Sequence, residues 1–129
     1  MLALCLSVTM ARAQGGQPQT PEEREKQMLE YVDKEVQRLS TLLELEYWQE
    51  FYVDSTLTHD LKAMSEEMEK LQSAKVENSD LYINVQDKWM QQIDDTYKRL
   101  FTADQWAKYW KSGGKRAQDA RDKRNKKKK

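Results

Sequence analysis

Apolar residues recur at intervals of three and four along most of the chain, the spacing that puts them on one face of an α-helix. The first such set is Met28, Leu29, Val32, Val36, Leu39 and Leu43. Thr20-Pro21-Glu22-Glu23 precedes it. There the Thr hydroxyl can accept an orphan backbone N–H, Pro suits the first helical position, and Glu23 can reach back to the cap. Together these predict a helix over about residues 21–40. The stretch Ser40 to Phe51, STLLELEYWQEF, contains a break and a restart, and a second helix runs on to about Lys75. Its Leu57, Leu61, Met64, Met68 and Leu71 form a 4-3-4-3 seam, as in a helix packed nearly parallel or antiparallel to another. Asn78, Ser79 and Asp80 offer caps for a third helix, whose apolar face carries Tyr82, Val85, Trp89, Ile93, Tyr97 and Leu100. The loop between these two helices is short, which predicts an antiparallel hairpin. A fourth, short helix is expected over about 103–112, stopped by Gly113-Gly114.

Composition agrees with this pattern. Of 129 residues 38% are hydrophobic and 34% charged, with four Gly and two Pro. So few breakers and so many charges describe an all-α protein with a thin core: an elongated helical hairpin with two short flanking helices, four helices in total. The formal net charge of zero conceals an asymmetry. Residues 14–105 hold 20 acids against 10 bases, and residues 106–129 hold 11 bases against two acids. An acidic body therefore carries a basic tail. The tail residues are Lys115, Arg116, Arg121, Lys123, Arg124, Lys126, Lys127, Lys128 and Lys129. Residues 113–129 contain no large apolar side chain, so the expectation is a disordered segment with nothing to bury.

The N-terminus reads as an export leader. Met1 to Met10 is mostly apolar, and Ala11-Arg12-Ala13 supplies a small-x-small cleavage pattern. Residues 1–13 are the expected signal peptide, without a basic n-region and so with its start inside a longer leader. Residues 14–20 are a flexible lead, and 21–112 form the helical domain. The apolar run is too short to cross a bilayer, which takes roughly 20 residues. Removal of the leader would take away Cys5, the only cysteine, and with it any thiol chemistry. A periplasmic or secreted location follows as the expectation.

Candidate chemistry is sparse. His59 is the only histidine, and its helical neighbours Ser55, Thr56, Lys62 and Ala63 offer no metal ligand. Acid pairs such as Glu66-Glu67 and Asp94-Asp95 read as solvated faces rather than as acid/base machinery. The chain holds no Ser-His-Asp order, no Gly-rich phosphate loop and no CxxC. Neither an enzyme nor a cofactor or metal is expected. The basic tail invites a nucleic-acid reading, but the acidic body and export leader favour an anionic surface or an acidic client instead.

Aromatics are the denser signal: Tyr47, Trp48, Phe51 and Tyr52, then Trp89, Tyr97, Phe101, Trp106, Tyr109 and Trp110. A hairpin with short flanks has no interior for ten large rings, so about half belong to the core. Others are expected on a client-binding or dimer surface, for which Tyr47, Trp48, Phe51, Tyr52, Trp89, Tyr97, Trp106 and Trp110 are the candidates.

In Leu100-Phe101-Thr102-Ala103-Asp104-Gln105-Trp106, Thr102 is an N-cap and Gln105 its third-residue partner. Phe101 and Trp106 stand at the positions of a hydrophobic staple. This resembles the L-T-x-x-Q motif of the Spy/CpxP family of small all-helical periplasmic proteins. The first copy falls at Leu45 to Gln49, where Glu46 replaces the Thr and weakens the capping logic. The resemblance covers roughly residues 40–112. It implies cradle-shaped antiparallel homodimers and an envelope stress role, either ATP-independent binding of unfolded clients or repression of a sensor kinase. The family's metal-binding His and Cys residues are largely missing here, and the acidic body departs from the basic concave face of Spy. Two readings stand: an exported non-enzymatic chaperone with an aromatic-lined helical surface, or a structural adaptor for one envelope partner.

Overall fold

The computed structural model describes residues 19–127; the expected leader, the lead before Gln19, and Lys128 and Lys129 lie outside the described residues. Among the described residues the chain is all-helical. Its elements are α1 (Pro21–Leu43), α2 (Tyr47–Ser73), α3 (Ser79–Leu100), α4 (Ala103–Tyr109) and α5 (Lys115–Lys127), and a π turn at Trp110–Gly114 joins the last two.

Local chemistry sets the boundaries. Thr20 accepts from the Glu23 N–H at 3.1 Å, and Asn78 from the Asp80 N–H at 2.9 Å. α1 and α2 end where Glu44 and Lys75 take left-handed φ of 53° and 57°. That conformation costs a non-glycine residue roughly 1 kcal/mol. Offsetting it, the Leu45 N–H meets the Ser40 carbonyl at 3.3 Å and the Val76 N–H meets that of Leu71 at 3.0 Å, occupying carbonyls a helix end leaves orphaned.

The buried core is Val32, Leu39 and Leu43 of α1, Val53, Leu57 and Leu61 of α2, Ile93 and Tyr97 of α3, and Phe101. Each such side chain contributes about 1.5–3 kcal/mol by leaving water. Gln49 reaches Leu100, Asp60 reaches Gln92, and Glu67 reaches Lys88. The partner number falls as the first rises, so α2 and α3 run in opposite directions side by side. Met64, Met68 and Leu71 continue the α2 seam only half-buried. The core is therefore thick where α1 ends and thins toward the α2–α3 loop.

The glycine pair ends the fourth helix as expected: Gly113 takes φ 142°, outside helical values, and kinks the chain. One expectation is corrected at the C-terminal end, because a further helix, α5, follows the kink. A Cβ at Gly114 would lie 3.0 Å from the Tyr109 ring, so a side chain there would crowd that ring and oblige it to shift. The tail, expected to be disordered, is helical through Lys127. It has no large apolar residue to bury, but Arg121 and Arg124 find carboxylates on α3, and ion pairing orders what hydrophobicity could not.

Candidate functional site

Two helix junctions lie side by side, one entering α2 and the other entering α4. At the second, Thr102 Oγ1 accepts from the Gln105 N–H at 3.2 Å, and Gln105 Oε1 accepts from the Thr102 N–H at 2.9 Å, closing the expected capping box. At the first, Gln49 Oε1 accepts from the Glu46 N–H at 3.0 Å, so the glutamine half of the box survives loss of the threonine. The two glutamines then bond each other. Gln49 Nε2 donates to Gln105 Oε1 at 2.7 Å, and Gln105 Nε2 returns to Gln49 Oε1 at 3.1 Å. Each also donates to the last turn of the other's preceding helix: Gln49 to the Leu100 carbonyl and Gln105 to that of Leu43, both at 3.3 Å. Every hydrogen-bonding position of both amides is used, which is what a residue only 2% exposed, as Gln49 is, requires. Two copies of a short motif hinted at this pairing; only the fold brings them together.

With the glutamines as reference, the junctions can be compared position by position. The third and seventh residues of each helix face inward: Gln49 and Val53 in α2, Gln105 and Tyr109 in α4. The first, second, fifth and sixth face outward. In α4 these are Ala103, Asp104, Ala107 and Lys108, small or charged as a solvated face should be. In α2 they are Tyr47, Trp48, Phe51 and Tyr52, exposed by 89%, 52%, 64% and 52%. The four form one patch, with Trp48 and Phe51 each edge-on to Tyr52 at ring distances of 6.3 and 5.4 Å. Exposed Glu46 and Asp54 flank it along the chain. Trp48 Nε1 donates to Glu46 Oε2 at 2.5 Å, which holds that indole at the rim.

The remaining aromatic candidates do not join this patch. Tyr97, expected on the surface, is buried where α3 meets the other helices, stacked on Phe101 at 5.0 Å. Its hydroxyl has no partner among the described residues. Phe101 and Trp106 meet through Tyr109, at 6.0 and 5.5 Å, so the staple is a three-ring cluster that Trp110 extends from Trp106 at 5.7 Å. Half-buried Trp89 donates to Glu67 Oε1 at 2.9 Å. Hydrogen bonds from Lys88 and Trp89 hold the Glu67 carboxyl below its ordinary value. Leu45 is half-buried against the core.

The basic candidates divide likewise. Lys115, Arg116, Lys123, Lys126 and Lys127 are exposed. Arg121 is buried, with Nη2 donating to Asp94 Oδ2 at 2.6 Å. Arg124 makes two bonds to Asp87, both at 2.7 Å. Asp94, read from sequence as solvated, is thus buried because the tail folds onto it. Its other oxygen accepts from the Tyr109 phenol at 2.5 Å. Burial, and then the neighbouring Asp94 charge, raises the Tyr109 phenol well above its usual range. His59 is exposed, Nδ1 2.7 Å from Asp60 Oδ1.

A second apolar feature was not legible from the sequence. Where the core thins, α1, α2 and α3 leave a groove of about 630 Å³, lined by Met28, Tyr31, Leu61, Met64 and Met90. Arg24 and Glu69 form an ion pair at its rim, 3.1 Å apart. Each methionine lies on its own helix's apolar seam, but their convergence needs three helices. Among the described residues no cluster of His, Cys, Asp and Glu could hold a metal, and no helix is long and apolar enough to cross a membrane. Comparison with family models, curated proteins and solved structures finds no match.

Proposed function

We propose that this chain is a non-enzymatic helical binding protein that holds apolar segments of unfolded polypeptides, without nucleotide, on the ring surface of Tyr47, Trp48, Phe51 and Tyr52. The observation that carries the reading is the contrast between outward positions. The same junction built with Ala103, Asp104, Ala107 and Lys108 shows that turning the chain needs no rings there. Four adjacent exposed aromatics are costly for solubility and suited to adaptable contact. Their acidic rim favours client segments that mix basic and apolar residues. The half-buried methionines of the nearby groove extend the same kind of surface. Export to the periplasm and assembly as an antiparallel hairpin dimer, as the L-T-x-x-Q resemblance implies, belong to this proposal.

The test exchanges one junction's outward face for the other's: Tyr47→Ala, Trp48→Asp, Phe51→Ala and Tyr52→Lys together. The variant should keep the helical circular dichroism of the parent. It should also lose most of the parent's ability to suppress aggregation of an unrelated denatured protein. Undiminished suppression by a folded variant would sink the proposal. A parent chain that suppresses nothing, yet captures one stable envelope partner, would instead be a structural adaptor.

A further inference from the structure

α5 carries no large apolar side chain, and its inward face lies against α3. Ala117, Ala120, Arg121 and Arg124 form one side of an open cleft of about 370 Å³ whose other wall includes Ile83, Gln86 and Met90 of α3. Gln86 and Met90 also line the methionine groove. The cleft and the groove therefore share a wall, with α5 lying across its end.

Charge holds α5 in place. The Arg121–Asp94 pair has both side chains 5% exposed, and Arg124–Asp87 is a two-bond contact with Arg124 42% exposed. Gln118 adds a bond to Gln91 at 2.8 Å. A buried ion pair gains little net free energy, because desolvation offsets much of its attraction. If the whole helix departs, both partners regain water and no lone charge stays buried. The connection suits such a motion: Gly113 is in a left-handed conformation with open space where a Cβ would be. α4 on the other side of it stays anchored through Trp106 and Tyr109.

We propose that α5 is a charge-latched flap that swings about Gly113, opening the cleft beside Met90 and lengthening the groove between α1, α2 and α3. Salt loosens it by screening chiefly the more exposed Arg124–Asp87 pair. This does not rest on the client-binding reading, since the flap is defined by its own contacts.

Hydrogen exchange on the full chain, at low and at high salt, tests the flap alongside methionine oxidation by dilute peroxide. With the latch screened, amides of α5 should exchange about tenfold faster, the factor that loss of one or two net hydrogen bonds supplies. Amides of α2 and α3 should be unchanged. Met90, which lines the cleft beside α5 as well as the groove, should oxidise faster in step with α5, whereas Met28 and Met64, which line the groove alone, should not. The variant Arg121→Gln with Arg124→Gln should show the open behaviour at all salt concentrations; if it fails to fold, the salt series on the parent decides alone. Exchange of α5 in step with α2 and α3 would make it a fixed part of the fold and overturn the proposal. An opening that leaves Met90 oxidation unchanged would overturn it equally.

Discussion

The junctions into α2 and α4 turn the chain with the same glutamine bonds, yet they dispose of their aromatics in opposite ways. In α4 Tyr109 occupies an inward position and packs on Tyr97 and Phe101 of the core. In α2 the rings occupy outward positions, while Val53 and Gln49 face in. A shift of register on the helix, not a change of composition, separates a structural ring from a surface one. The difference shows that aromatic content alone does not predict a binding surface; position relative to the inward glutamine does.

Three measurements would sharpen or break this comparison. The largest effect is expected from Gln49→Ala, which leaves the Gln105 amide, the Leu100 carbonyl and the Glu46 N–H short of a partner. It should cost about 2–4 kcal/mol in denaturant unfolding. Gln105→Ala should cost less, about 1–2 kcal/mol, because half-exposed groups recover water. Equal costs would mean that burial does not distinguish the two amides.

Next in size are the caps. Thr102→Ala removes a bonded N-cap oxygen and should cost about 1 kcal/mol. Glu46→Ala should cost no more than about 0.5 kcal/mol, since the glutamine half of that box remains. A larger loss at Glu46 would show that its carboxylate, and not Gln49, carries the first cap.

The smallest effect is alkaline and belongs to the second junction alone. The folded phenol of Tyr109 is raised above its ordinary value of 10.0. Its contribution is therefore complete below that value and is lost as pH rises, because the unfolded phenol ionises first. Between about pH 9 and 10 one such phenol removes less than about 0.5 kcal/mol. Thermal unfolding across that range should decline less steeply in Tyr109→Phe. An unchanged slope would remove Tyr109 as its source.

Much of the helical layout was legible in the residues. Thr20-Pro21, Asn78 and Thr102 mark helix starts, since a cap is a bond between residues two or three apart and needs no tertiary partner. The seams through Leu57 and Leu61 and through Ile93 and Tyr97 were legible for the same local reason. The tail was misread because its ordering comes from Asp87 and Asp94, some 27 to 37 residues away. A charged segment offers no periodic signal of where its counter-charges lie. Asp94 was misread for the reciprocal reason.

The sequence by itself determined that this protein is helical, where most of its helices begin, and which stripe of each is apolar, because those follow from backbone bonding and spacing over one or two turns. Tertiary structure alone decided which rings are core and which are surface, that Gln49 and Gln105 pair, and that three methionines share one groove. Those outcomes depend on the relative rotation and depth of helices distant in the chain, and only the packed molecule sets that geometry.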